Sequence, residues 1–399
     1  MSFPTLDFGT YHREELPRAL ASGRAALAAR ATRGLGALAF RLPEGGAWCY
    51  RPAGDRIEIA AGDAGAATVI ELDRESWQGL VHELEAPAGL LYAGRIRCLR
   101  GHAMSFMAWE AGLRALYNGR PPYDAASLDL RDRSGAPLDV ARGFTLADDR
   151  DDLRHFLDVA GFAFVRGVFD AEEVEAFRRE AESLRGEARK GDKLSWWGKN
   201  AAGQEILCRV TRASAKPKLA TLITDPRLRA LADLAREPLV HKKGEGEGVT
   251  VIYKHPQMAE GLGDLPWHRD CGMGGHAAMC PVLIASVYLT PATPETGTLA
   301  MLPGSHTASF GTRPANHPSV PPHVVLHAAP GDVSIHYGDT MHAAPPPTAT
   351  DRDAYRISAI VGFARPDAAH HRGEKSYNDV LHGREDGQVE HLERVADRA

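Results

Sequence analysis

The chain has 399 residues, of which 44% are hydrophobic and 25% charged, the balance of a globular protein long enough for two or three domains. A formal net charge of −5 argues against a nucleic-acid or anionic-membrane partner, and no 18-residue apolar run is present to span a bilayer. The opening Met1-Ser2-Phe3-Pro4-Thr5 has neither a basic stretch nor an apolar one, so no signal peptide is expected and a cytoplasmic location is. The five cysteines, Cys49, Cys98, Cys208, Cys271 and Cys280, are odd in number and show no C-x-x-C spacing, which fits a reducing compartment and free thiols.

In chain order, Tyr11 to Arg33 reads as an amphipathic helix, rich in Ala, Arg and Leu. Short β-type runs follow at Ala37–Leu42, Ala47–Arg51, Arg56–Ala60 and Ala67–Leu72, separated by Pro/Gly/Asp turns. Asp73 can cap a helix over Arg74–Leu84. A strand at Gly94–Leu99 and a helix over Ala103–Tyr117 complete an α+β unit, assigned to residues 1–125. Residues 119–139 are rich in Pro, Gly, Asp and Arg without apolar periodicity, so a linker is expected, bounded at 126–144. The second unit, 145–399, opens with a helix at Asp149–Ala160, a strand over Gly161–Gly167, and a helix over Ala171–Arg185 capped by Asp170. From Val249 onward short strands alternate with Pro/Gly turns, as in an antiparallel sandwich. After Pro366 the chain is polar and expected to be partly mobile.

The chemistry concentrates in this last stretch. In Trp267-His268-Arg269-Asp270, residues two apart on a strand share a face, so His268 and Asp270 present an imidazole and a carboxylate together. Alone, an H-x-D is expected by chance about once in a chain of this length. Gly331-Asp332 then starts a short strand whose end delivers His342, and the strand beginning Tyr355-Arg356 carries a cation where an apolar residue would be expected. Two neutral imidazoles and a carboxylate can hold Fe(II) on one face and leave three positions open. A 2-keto acid can fill two of these, leaving one for dioxygen. Its far carboxylate then needs a fork-shaped cation, and a buried guanidinium in turn needs an anion.

Together, Leu157–Glu173, Trp267–Asp270, Thr296–His306 and Gly331–His342 with Arg356 resemble the phytanoyl-CoA dioxygenase family over roughly residues 145–366. The resemblance implies a double-stranded β-helix, a cupin-like jelly roll with flanking helices, and Fe(II)/2-oxoglutarate-dependent oxidation by O2. It implies His268, Asp270 and His342 as metal ligands, Arg356 as the 2-oxoglutarate anchor, and Ser286 as a second contact to that carboxylate. Thr250 and Lys254 share one strand face and could line the same pocket. Two departures from the family pattern stand out. Ala344 replaces the usual Ser or Thr two residues after His342, and a Pro-rich insert widens the gap to Arg356, which makes Arg352 a fallback anchor.

Other candidates have plain readings beside the functional ones. His336 reads as a packed or exposed strand residue, His306 as structural, and His276 as a loop histidine within reach of substrate. Trp196, Trp197, Arg209 and Arg212 are pocket candidates or ordinary core and surface. Residues 37–117 resemble the sterol-carrier-protein fold, carried by Gly46–Tyr50, Ala67–Leu72 with Ser76-Trp77, and Gly94–Gly101. That resemblance implies a five-stranded sheet with helices and an apolar cavity, which Trp77, Leu80, Phe106, Met107 and Leu113 could line. The expected substrate is a hydrophobic or lipid-like small molecule, delivered across the linker. The competing expectations are a lipid carrier with a non-catalytic barrel and a zinc hydrolase using the same donors. The substrate's identity and the oligomeric state are not legible.

Overall fold

The computed structural model describes residues 3–241, 248–259, 265–270, 282–313, 317–351, 353–366 and 390–399. Cys271, His276, Cys280, Arg352 and most of the polar stretch after Pro366 lie outside these. The three cysteines within them are free thiols.

In the first unit a five-stranded sheet is formed by β1 (Leu38–Arg41), β2 (Ala47–Ala53), β3 (Arg56–Ala61), β4 (Thr68–Leu72) and β5 (Ile96–Arg100), in the order β3-β2-β1-β4-β5. The pairs are antiparallel except β1 with β4, which run parallel. Asp73 caps the helix Arg74–Val81 as its side chain accepts the Ser76 N–H. The expected first helix is instead helical only in segments between Phe8 and Ala31, broken where Gly23 takes φ +96°. The expected helix over Ala103–Tyr117 is two, Ala103–Ala108 and Glu110–Asn118, meeting at Trp109, whose indole N–H donates to the Gly36 carbonyl. Between Arg74–Val81 and β5 lies a helix that the sequence reading missed, Pro87–Tyr92.

The proposed tunnel residues do not face a tunnel. Trp77, Leu80, Phe106, Met107 and Leu113 are at most 5% exposed and share one packed core with Phe40, Tyr50 and Ile70. A cavity wide enough for an acyl chain would leave their surfaces accessible to a water-sized probe.

The second unit is two facing antiparallel sheets. The larger comprises β6 (Phe162–Val165), β7 (Ser195–Lys199), β8 (Glu205–Val210), β9 (Val240–His241), β10 (Val249–Lys254), β12 (Leu283–Tyr288), β15 (Val333–Tyr337) and β17 (Arg356–Ala364), ordered β6-β15-β12-β17-β10-β8-β7 with β9 against β17. The smaller is β11 (Leu265–His268), β16 (His342–Ala344), β13 (Leu299–Met301) and β14 (Val324–Leu326), in that order. The sandwich therefore starts well before Val249: β6 pairs with β15, and the β7–β8 hairpin extends the sheet. The helix Ala171–Glu187, entered through an Asp170/Glu173 capping box, packs Val174, Phe177, Ala181 and Leu184 into the domain core.

Two segments depart from their expected places. The stretch read as linker is tied to the second unit: the Tyr123 N–H donates to the Ser309 carbonyl, the Ser309 N–H to Pro121, and Leu138 packs on that core. The last helix, Leu392–Ala396, assigned by sequence to the second unit, packs on the first. Ala396 joins the first unit's core, and the Cys98 N–H donates to the Ala399 carbonyl at 3.2 Å. No helix of the described residues is long and apolar enough to cross a membrane.

Candidate metal and 2-oxoglutarate site

β11 and β16 are neighbours, with His268 and His342 opposite one another in register. Asp270 follows at the end of β11. The two imidazoles are fixed from behind: His268 Nδ1 lies 2.7 Å from the Pro266 carbonyl and His342 Nδ1 3.0 Å from the Thr340 carbonyl. Each Nδ1–H thus donates to backbone and each Nε2 faces the other side chains of the cluster. Asp270 Oδ1 is 3.8 Å from His268 Nε2 and 3.7 Å from His342 Nε2. These separations are too long for hydrogen bonds, and the three donor atoms all lie within 4.8 Å of one another. A first-row divalent ion with bonds of about 2.1 Å could bridge them with small side-chain rotations. Burial, reinforced by neighbouring imidazoles, pushes His342 down to about 3, and burial also lowers His268. Burial opposes ionisation of Asp270, but His342, His336 and His268 hold its carboxyl below the usual range. At neutral pH the set is two neutral imidazoles and a carboxylate, the protonation states that a metal requires.

The segment Pro303-Gly304-Ser305-His306 secures the turn that carries His342. Gly304 has φ +71° and its N–H donates to Ala160. Ser305 Oγ donates to the Leu302 carbonyl and accepts the Met341 N–H at 2.8 Å. His306 Nε2 sits at 3.2 Å from the Asp158 carbonyl.

Arg356, at the start of β17, is 6% exposed. Its Nη1 donates to the Gly297 and Thr298 carbonyls at 3.2 and 3.1 Å, its Nε is buried without a hydrogen-bond partner, and burial lowers its pKa. Among the described residues it forms no ion pair. Ser286 and Ser358 border the same cavity, as does Tyr288, which the sequence reading missed; burial raises the Tyr288 phenol while nearby Arg356 lowers it. The signal was available, because Tyr288 stands two residues after Ser286 on one strand. Thr250 and Lys254 lie on the same face of β10 as Ile252, which lines the cavity, but neither of them does. Lys254 pairs with Arg356 in register, and its ammonium donates to the Ala344 carbonyl.

His336 is a packed strand residue, one of the two readings the sequence allowed, and its surroundings add to that. It is buried on β15 and lines the same cavity: its Nε2 is 3.2 Å from Asp270 Oδ2 and its ring centroid 4.6 Å from that of His342. Of the four pocket candidates, Trp196 and Arg209 line the cavity, with the Arg209 guanidinium 4.5 Å from the Trp196 ring centre. Trp197 packs on the core and Arg212 is exposed. The cavity measures about 390 Å³, and its lining includes the histidines and Asp270 together with Tyr92, Met104 and Leu392.

No curated protein matches the chain. Among solved structures, AviO1 from Streptomyces viridochromogenes Tue57 is similar at 23% identity and TM-score 0.45, over 55% of this chain and 96% of that one. SnoK, a non-heme alpha ketoglutarate dependent carbocyclase from nogalamycin biosynthesis, is similar at 24% identity and TM-score 0.44, over 57% and 89%. HygX from Streptomyces hygroscopicus, solved with nickel, 2-oxoglutarate and hygromycin B bound, is similar at 20% identity and TM-score 0.41, over 57% and 98%. Residues 157–354 match the family Phytanoyl-CoA dioxygenase (PhyH). The stretch from β6's preceding helix to the turn before β17 is thus a phytanoyl-CoA dioxygenase family domain, and the cofactors of that family are iron(II), 2-oxoglutarate and dioxygen.

Proposed function

We propose that this chain is an Fe(II)/2-oxoglutarate-dependent oxygenase that oxidises an aliphatic C–H bond of a hydrophobic small molecule. The observation that carries the reading is a buried guanidinium with an orphaned Nε, opening on the same cavity as two imidazoles and a carboxylate that face one another without hydrogen bonding. His268, Asp270 and His342 would hold the metal. Iron, when bound, supplies activation of dioxygen coupled to oxidative decarboxylation of the keto acid. Arg356 would bind the far carboxylate of 2-oxoglutarate, with the Ser286 hydroxyl beside it. Lys254 is better read as a brace: it holds the Ala344 carbonyl on the strand that carries His342. His336 would orient Asp270 through its second oxygen. The cavity's apolar walls, including Ile252, Ile284, Leu299 and Ile360, suit an apolar body, while Arg209 and Arg313 suit an acidic or hydroxyl-bearing end. The first unit, with its five-stranded sheet and helices, remains compatible with a sterol-carrier type of fold whose interior is filled.

A zinc hydrolase would give Arg356 no anion to meet, and a non-catalytic carrier would have no need of oriented Nε2 atoms. Anaerobic addition of 2-oxoglutarate to the Fe(II)-loaded protein discriminates. The oxygenase reading predicts a visible metal-to-ligand charge-transfer band that succinate does not produce. Absence of the band at saturating 2-oxoglutarate would refute it.

A further inference from the structure

Arg269 stands between two proposed ligands and points away from them, as alternation along an extended chain dictates. Its guanidinium enters the boundary with the first unit, where it is 5% exposed. There it meets Glu110, the first residue of the helix Glu110–Asn118, and Asp339 at 2.8 Å. Asp339 lies three residues before His342. Arg120 bridges Asp339 at 3.2 Å to Glu83 at 2.9 Å, and Glu83 takes Arg114 at 2.8 Å. Three guanidiniums meet three carboxylates, each residue no more than 9% exposed. Glu83, Glu110 and Arg114 come from the first unit, and Arg120 from the stretch that directly follows it. Arg269 and Asp339 come from the two segments whose ligands must converge on one metal.

A buried ion cluster is weak grounds for stability, since apolar packing can replace it at little cost. Its distinctive property is direction: several charged contacts fix two backbones relative to one another. The backbones fixed here are the end of β11 and the turn before β16. The first unit also closes the cavity, through Tyr92 and Met104, and it seats the last helix, whose Leu392 borders the same space.

We propose that the first unit is a working part of the oxygenase centre. Glu110 and Glu83, acting through Arg269 and Asp339, are positioning residues that hold the His268–Asp270 segment against the His342 turn, while Tyr92 and Met104 form the substrate-facing wall. The inference rests on the oxygenase reading, and its test separates the two. Coupling between a metal and a remote helix is reciprocal. Fe(II) with 2-oxoglutarate, added anaerobically to the wild-type full chain, is therefore expected to slow amide hydrogen exchange in Glu110–Asn118, a helix that contributes no ligand. Glu110→Gln is expected to raise the Fe(II) dissociation constant roughly ten-fold or more and to shift the charge-transfer band at saturating iron. Glu110→Gln with Arg269→Met keeps the cluster neutral, and should not recover wild-type affinity. Unchanged exchange in that helix on iron binding, or a folded double variant with wild-type affinity and band, would overturn the proposal. A wild type that binds iron and 2-oxoglutarate not at all would instead overturn the oxygenase reading.

Discussion

Arg269 and Arg356 are both buried guanidiniums of one domain, and their surroundings differ in kind. Arg269 has Glu110 and Asp339 against it; burial works against its charge, but these carboxylates hold its pKa above the ordinary arginine value. Arg356 has backbone carbonyls on one nitrogen, no partner on Nε, and a pKa lowered by burial. The first arrangement sets three carboxyl groups against three guanidiniums, although burial pushes Glu83 up to about 7 and raises Glu110. The second has no carboxylate against it among the described residues, which suits the role proposed for it with the keto acid's far carboxylate. The contrast teaches where to look for a ligand, because a buried charge without a counter-ion costs free energy that a bound anion can return.

The largest effect tests the open side of the comparison. His268→Ala, Asp270→Ala and His342→Ala should each abolish iron-dependent turnover and leave Fe(II) binding lost or much weakened in anaerobic titration. His336→Ala should retain measurable binding. If His342→Ala binds iron like wild type and His336→Ala does not, the third ligand has been misassigned.

Next comes Arg356. Arg356→Ala should raise the KM for 2-oxoglutarate by about thirty-fold or more, corresponding to roughly 2–4 kcal/mol of lost charged hydrogen bonding, and Arg356→Lys should recover only part. Without ligand, Arg356→Met should melt no lower than wild type, since it removes an unmet charge. A large effect from Arg352→Ala, with none from Arg356→Ala, would move the anchor to Arg352.

On the Arg269 side the sign reverses. Glu83→Gln leaves Arg114 and Arg120 short of a carboxylate, and should lower the unfolding free energy by about 3 kcal/mol in denaturant titration. A Glu83→Gln protein as stable as wild type would mean that Glu83 does not offset the charge of Arg114 and Arg120.

A smaller effect concerns a buried group of the first unit that is satisfied while neutral. His12 Nδ1 lies 2.6 Å from the Phe8 carbonyl and Nε2 2.6 Å from the Tyr50 hydroxyl, and burial pushes its pKa down to about 4. Its folded pKa is below its unfolded one, so the unfolded chain binds more protons between about pH 6.5 and 4, and stability falls as pH drops through that window. By pH 5 the loss from this residue should be about 2 kcal/mol. His12→Gln should flatten the dependence of Tm on pH; an unchanged slope would assign it elsewhere.

What the sequence made legible was local. H-x-D spacing, a Gly-Asp turn before His342 and a cation on a strand are short-range patterns, and the structure brings those residues to one cavity. Strand bounds in the first unit were close because turn residues punctuate them. The sequence does not disclose pairings between distant elements. Glu110 and Arg269 are 159 positions apart, so nothing in either neighbourhood announces their contact. The β7–β8 hairpin, the seat of the last helix and the place of His336 beside Asp270 depend likewise on which elements become neighbours. The supposed lipid cavity failed for a related reason: apolar residues at helical spacing describe a filled core as well as a hollow one.

The central claim is that this chain couples 2-oxoglutarate to dioxygen through iron. The most direct measurement incubates the full-length protein in air with 2-oxoglutarate and either Fe(II), Zn(II) or no metal, and quantifies succinate and CO2. The account predicts equal amounts of the two products with Fe(II) alone, and loss of both when His342 is replaced by alanine. Succinate formation that is absent with Fe(II), or equal with Zn(II), would contradict it.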